Sequence, residues 1–357
     1  MQSIRPREYV GILALLLVTI FPFVSAESAS QYALYRSEDH AQSWSPSHLG
    51  LPPESRINAL AASAQTFIAG TDAGIFISTN TAKSWQPIPE TKTARVTSLA
   101  TLDQHTFAGT SDGILLISTN HGLTWQRNHS LPQHTIRSLH AFNGSIYVGT
   151  DAHRVYQSSD RGQTWNHLSA GLPPVAQIFA ITSLNGRLFA GLYAKGLYTW
   201  DDAQKKWVQL GASEKIAPLA LAASDGTLIA GHNPGGIYSS DDLGQTWRHW
   251  NLSSTSANFP DSQSFTLLDS LNTQTSRGTV PAIEAPIWEM SANSKIALAG
   301  AGSGIYYSTD RARTWTRAAS GLPTQSSGLA FLIHENLILA AIHQQSPVCS
   351  QTTPRRD

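Results

Sequence analysis

Seven acids or amides return along the chain at near-regular intervals: Asp39, Asn80, Asn120, Asp160, Asp202, Asp242 and Asp310. Carboxylates in series suggest glycoside hydrolysis, in which one acid protonates the leaving oxygen and a second attacks or activates water. Their surroundings point to a different job. Each belongs to a copy of Ser-x-Asp-x-Gly-x-Thr-Trp, cleanest in Ser158-Ser159-Asp160-Arg161-Gly162-Gln163-Thr164-Trp165. Asx and Ser side chains hydrogen-bond their own backbone in turns, and Gly supplies a positive φ, so the box reads as the turn of a β-hairpin and its acids as structural. Ala41, Ala82 and Ala312 replace the glycine, and the stretch Trp200 to Trp207 has lost both Ser and Thr, which predicts looser turns there.

A second group of residues could bind. In six repeats an apolar residue stands ten places before a glycine: Leu60 and Gly70, Leu99 and Gly109, Leu139 and Gly149, Ile181 and Gly191, Leu221 and Gly231, Met290 and Gly300. Four places before these anchors stand Arg56 and Arg95; two places before stand Arg137, Phe179 and Trp288, and Glu289 directly precedes its anchor. Positions two and four before an anchor share strand parity. Three arginines on consecutive repeats would make a clamp for carboxylate or phosphate, or else stand as separate solvated charges at strand starts. Phe179 and Trp288 offer stacking surfaces for a sugar or an apolar side chain. Glu289 is the one acid in these positions, without a clear carboxylate partner, so no catalytic residue is assigned.

The elements that position these groups are legible from the tryptophans that close the boxes. Trp44, Trp85, Trp125, Trp165, Trp207, Trp247 and Trp315 are spaced 41, 40, 40, 42, 40 and 68 residues apart. A fixed period near 40 residues marks a repeat architecture. Within a repeat, runs such as Val96-Thr97-Ser98-Leu99, Thr106-Phe107-Ala108-Gly109 and Gly113 to Ser118 read as three short strands, with a fourth around the Trp. The chain begins mid-repeat and ends with an orphan pair, Gly328 to Ile333 and Asn336 to Ile342. Joining that pair to the N-terminal hairpin closes a ring and leaves no open edge. The expectation is an all-β, seven-bladed β-propeller of four-stranded antiparallel blades over residues 30–345, its N- and C-terminal strands sharing one blade.

The box resembles the Asp-box, or BNR, repeat of sialidase-like β-propellers, over about Tyr32 to Ile342. The resemblance implies that the boxes sit on outer hairpins and that function lies where inner strands and second-to-third corners converge on the axis. Sialidases of this kind carry an Arg-Ile-Pro motif, a Tyr-Glu pair and an acid Asp; here Ile4-Arg5-Pro6 has the wrong order and lies in the leader. Two-propeller xyloglucan hydrolases share the box but are about twice as long. A single exported propeller is similar to the photosystem II assembly and stability factors of cyanobacteria and plastids, which implies a non-enzymatic, protein-binding scaffold with an arginine-rich face. A sialidase-like or other glycan-active propeller is the alternative.

The rest of the chain sets bounds. Twenty-four basic residues balance twenty-four acidic ones, which gives no footprint for nucleic acid. Thirteen histidines lie scattered without ligand spacing and there is no Gly-rich phosphate loop, so neither metal nor cofactor is expected. Residues 1–26 read as a signal peptide, with Arg5 and Arg7 ahead of an apolar run from Tyr9 to Val24 and Val24-Ser25-Ala26 as the cleavage site. An N-terminal membrane anchor is the alternative, although the run is shorter than the ~20 residues of a spanning helix. The expected compartment is therefore periplasmic or extracellular, and the expected partner a protein, including a membrane-associated one, with a glycan second. Residues 251–285 form a Ser/Thr/Asn-rich insertion, expected as a mobile surface loop or a lid. Residues 346–357 are expected as a flexible tail; Cys349 within it is the only cysteine and has no partner for a disulfide.

Overall fold

The computed structural model describes residues 32–250 apart from 153 and 176, the pair 264–265, and 285–344 apart from 325. Residues 1–26, expected as a signal peptide, residues from 346 on, expected as a tail and including Cys349, and nearly all of 251–285 lie outside the described residues.

Seven antiparallel sheets make a β-propeller, and two single-turn 3-10 segments, Pro89–Thr91 and Gly211–Ser213, are the helical elements described. Blade 1 holds Ile57–Ser63, Thr66–Thr71, Gly74–Ser78 and Gln86–Pro87; blade 2 holds Val96–Leu102, His105–Thr110, Leu115–Ser118 and Gln126–Asn128. Blades 3 to 6 repeat the order from inner strands Ile136–Phe142, Ile178–Leu184, Pro218–Ser224 and Ile287–Ala292. Blade 7 is made from both termini: Ser326–His334 innermost, then Leu337–Gln344, Tyr32–Ser37 and Ser45–Pro46. Its inner strand packs on those of blades 6 and 1, so the ring is closed. In blade 5, Ser264–Phe265 adds a fifth strand beside Trp247–Trp250.

The core is divided among the blade interfaces. Seven apolar clusters each join adjacent blades; one gathers Ile68, Ile75, Val96, Ala108, Leu116 and Trp125 from blades 1 and 2. The ten-residue rule has its cause here. A Cβ placed on Gly70 would meet Val96 Cγ1 at 2.4 Å, and one on Gly109 would meet Ile136 Cγ2 at 2.3 Å. Five of the six glycines are sockets for the first residue of the next blade's inner strand; at Gly300 an added Cβ would instead meet the backbone oxygen of Gly328 in blade 7, at 2.6 Å.

The Ser-x-Asp-x-Gly-x-Thr-Trp turns join the two outer strands of their blades. Ser158 Oγ donates to Asp160 Oδ1 at 2.7 Å and accepts from Gly162 N at 2.7 Å, while Asp160 accepts Thr164 N at 2.9 Å and Thr164 Oγ1 at 2.5 Å. Asp39, Asp242 and Asp310 make the same set. Asn80 and Asn120 keep the geometry by donating through Nδ2 to Ser84 and Thr124. The bonds to Thr164 and Ser158 hold the Asp160 carboxyl at about 2.

Two expectations about these turns are corrected. The alanine copies at Ala41 and Ala312 are not looser: they donate to Ser37 and Ser308 at 3.0 Å and occupy φ 67° and 59°, and Ala82 shares the positive φ, at 59°. Ala312 is fully buried in the cluster between blades 5 and 6, so packing holds the methyl group in a backbone region alanine disfavours. In blade 4 the turn-former is Asp201, which accepts Ala203 N and Gln204 N at 2.9 Å, whereas Asp202 accepts only Trp200 Nε1 and Lys205 Nζ, at 3.1 Å and 3.5 Å. Without the Ser and Thr the strands pair up to Asp201 and Lys206, and the shorter loop moves the acceptor back one residue.

Candidate functional site

All seven inner strands slip register by one residue at the same place, between Ile57 and Ala59 in blade 1 and between Ile136 and Ser138 in blade 3. The extra residues are Asn58, Thr97, Arg137, Phe179, Leu219, Trp288 and Leu329. A bulge breaks the strict alternation of side chains and re-aims the residue it adds. Parity counted back from the anchor therefore does not carry past it, and that separates the arginines.

One end of the inner strands carries these bulges together with the second-to-third corners. Asp72 N, Ser111 N, Asp151 N, Tyr193 N, Asn233 N and Gly302 N each donate to the carbonyl of the residue just ahead of their own inner strand, at 3.0–3.3 Å. Arg56 and Arg95 accept two of these bonds through their carbonyls, so both belong to this face. They do not line its cavity. Arg95 is held on Asp72, Nε to Oδ1 at 3.1 Å and Nη2 to Oδ2 at 3.3 Å, and Asp72 also accepts Asn58 Nδ2 at 2.7 Å. Arg56 is exposed. Arg137 does line the cavity, its Cζ 5.2 Å from the centre of the Phe179 ring. The three guanidiniums thus meet different neighbours: an acid, solvent and an aromatic face.

Phe179 begins a row that sequence reading saw only in part. Its ring lies 5.4 Å from that of Tyr193, whose hydroxyl accepts Asn233 Nδ2 at 3.3 Å. Arg137, Phe179, Tyr193 and Asn233 thus run across blades 3, 4 and 5. Trp288 stands apart on blade 6; it and Tyr193 are 48% and 41% exposed, while the bulge residue of the blade between, Leu219, is buried. Tyr193 and Asn233 lie in corners, where turn chemistry masks function, and the constant backbone bond to the residue ahead of the inner strand is the signal that could have found them.

Inside the ring is a cavity of about 530 Å³. Its lining includes the apolar anchors Leu60, Leu99, Leu139, Ile181, Leu221, Met290 and Phe331, with Ser138, Thr182 and Ser291 among the polar groups. Three titratable side chains reach it: Arg137, His140 and Glu289. Burial lowers His140 to about 4, and its Nε2 lies 2.9 Å from Ser183 Oγ. Burial pushes Glu289 up to about 8, offset only in part by the Met290 N–H. At neutral pH both are uncharged. Glu289 is the sole carboxylate of the lining, so the cavity does not hold the acid pair of a glycosidase. No group of three or more His, Cys, Asp and Glu suited to a metal ion occurs among the described residues.

Residues 18–140 and 137–281 each match the DUF6242 β-propeller domain, which together is well over half of the chain. The chain belongs to the DUF6242 β-propeller family. Solved structures similar to this DUF6242 propeller include YCF48 bound to a D1 peptide, 15% identical with a TM-score of 0.60 over 88% of this chain and 97% of that one. YCF48 from Cyanidioschyzon merolae is 13% identical, with a TM-score of 0.58 over 87% and 98%. The GH74 xyloglucanase of Xanthomonas campestris is 14% identical, with a TM-score of 0.54, and the match covers 74% of this chain but 45% of the enzyme. At such identities these likenesses establish the fold alone. No curated protein matches the chain significantly.

Proposed function

We propose that this DUF6242 propeller is a non-enzymatic, exported binding scaffold that holds a protein segment across the face bearing Arg137, Phe179, Tyr193 and Asn233. The observation that carries this reading is the half-open row itself. A cation laid on one ring and a second ring beside it form a rigid, amphipathic ledge at the mouth of a cavity, whose apolar parts reward an extended peptide and whose hydrogen-bonding tips fix its register. The solved complex of YCF48 with a D1 peptide supports it as a precedent for peptide binding on this fold. Arg56, exposed on this face, and Arg95 on Asp72 would add charge at the rim for an acidic stretch of the partner. The repeated turn bonds support membership of the BNR/Asp-box class, and the pattern in residues 1–26 supports export.

Peptides from a random display library, selected on the full chain, test the reading. Enriched peptides are expected to lose at least tenfold in affinity on Phe179→Ala and Tyr193→Ala variants that keep their melting temperature. Peptides that bind those variants as well as the parent would overturn it. A glycan is the second reading, favoured by the exposed rings of Tyr193 and Trp288, which suit stacking on a sugar. A glycan array that lights up only with Trp288 intact would move the conclusion there. N-terminal sequencing of the mature protein checks export, with Glu27 expected first.

A further inference from the structure

A half-buried carboxyl group on the wall of an apolar cavity, with no cation beside it, carries a desolvation cost. The structure supplies no partner that explains its retention. The inner strands on either side, Pro218–Ser224 and Ser326–His334, bring no charged side chain to the cavity lining. Of the other two titratable groups there, burial favours the neutral form of His140, which is engaged with Ser183, and Arg137 lies on Phe179. The cavity is also large for a solvent pocket, within the ~300–1,000 Å³ range of small-ligand sites, and is ringed by seven apolar anchors around this one acid.

We infer that the axial cavity receives a primary ammonium on an aliphatic stem, the side chain of a lysine in the bound segment, and seats it on the Glu289 carboxylate. Leu139, Ile181 and Leu221 would line the methylenes, and Ser138 or Ser291 could take an ammonium proton not used by the acid. The neutral acid gives up its proton to solvent as the ammonium arrives, so binding below about pH 8 releases a proton. This deepens the scaffold reading by naming a side chain that the face selects.

The experiment is calorimetric titration of the full chain with n-hexylammonium, with 1-hexanol as the neutral control, from pH 6 to pH 9 in buffers of differing ionisation enthalpy. Affinity is expected to rise about tenfold per pH unit up to about pH 8 and then level, with close to one proton released per molecule bound at pH 7. Glu289→Gln, which keeps the shape of the neutral acid without an ionisable proton and so should fold as well, is expected to abolish both the pH dependence and the preference over hexanol. Binding without pH dependence, binding that strengthens as pH falls, equal binding of hexanol, undiminished binding by Glu289→Gln, or no binding at pH 9 would each overturn the inference. Because the probe is read without any protein partner, its failure removes the lysine seat and leaves peptide binding on the ledge standing; loss of peptide selectivity with the probe still bound does the reverse.

Discussion

Gly109 offers a direct test of the socket that sets the spacing of the repeat. In a strand, replacing glycine by alanine ordinarily gains about 0.5–1 kcal/mol, because the unfolded chain loses freedom. Here the added Cβ would lie 2.3 Å from Ile136 Cγ2, 2.7 Å from Ser98 Oγ and 2.8 Å from Ile136 Cβ. Those Ile136 atoms are one and two bonds from the backbone of the next blade's inner strand, so no flexible tip can yield, and the overpacking cost belongs at the top of the usual range, about 3 kcal/mol. The net expectation is a loss of about 2 kcal/mol, or roughly 3 °C in melting temperature for a ring of this size if unfolding is cooperative. Ile136→Ala alone should cost about 2–5 kcal/mol through its cavity. The double variant should cost at least about 1 kcal/mol less than the sum, since the new methyl group enters the space the isoleucine vacates. Urea unfolding of the four proteins measures this cycle. Additivity, or a Gly109→Ala variant more stable than the parent, would refute the socket.

Three further expectations follow. Glu289 binds its proton more tightly in the folded chain than in the unfolded one, so its contribution is intact below about pH 4.5 and is lost as pH rises through about 8. The full span would be about 5 kcal/mol, and water at the cavity mouth reduces this to roughly 2; Glu289→Gln should therefore overtake the parent in urea midpoint between those pH values, and parallel profiles would contradict the burial of the acid. Asp160 has the opposite sign: held at about 2, it supports folding above the ordinary carboxylate range and stops doing so as pH falls through that value. Asp160→Asn should be mild, since Asn80 and Asn120 already make the same turn, whereas Asp160→Ala should lower the melting temperature clearly; equal effects would dissociate the turn from its side-chain bonds. Removing residues 326–357 takes both inner strands of blade 7 and opens its interfaces with blades 1 and 6, so the truncated chain should aggregate or lose its melting transition; a monomer with an unchanged midpoint would show that closure is not needed.

The ring was readable in the chain because its causes are local and repeated. The box fixes the outer turn, the glycine ten places after each anchor receives the next blade, and the orphan C-terminal pair matches the missing strands beside Tyr32–Ser37. The face was readable only in outline. Counting from the anchors picked out Arg137, Phe179 and Trp288, which the structure shows to be bulge residues, yet nothing in the residue types at the seven bulges announces one: Asn58 and Thr97 bond to the next blade's carbonyls at Val96 and Ile136, while Arg137 and Trp288 at the same place are exposed. The pairing of Arg95 with Asp72 and the stacking of Tyr193 on Phe179 each join a strand start to a corner. The first crosses from blade 1 to blade 2 and depends on the angle between blades, which the repeat implies only on average; the second lies within blade 4 and depends on how the bulge at Phe179 and the corner at Tyr193 turn their rings. Asp202 shows the same limit at short range, where one lost Ser and one lost Thr shift the turn's acceptor to Asp201.

The seven register slips have a consequence for how such a protein diversifies. Each adds one residue that the ladder does not use, so the side chain there is released from strand pairing, although Leu219 is buried and Leu329 packs against the apolar cluster between blades 7 and 1. Asparagine, threonine, arginine, phenylalanine, leucine and tryptophan all occupy the place in this one molecule on the same backbone. The inner ring therefore behaves as a dial of seven addresses whose letters can be changed one at a time while the scaffold is inherited whole. A library randomised at positions 58, 97, 137, 179, 219, 288 and 329 would sample new recognition chemistries around one axis, and the variants that fail to fold should concentrate at 58 and 97, where the letter is also a stitch between neighbours, and at 219 and 329, where the leucine is packed.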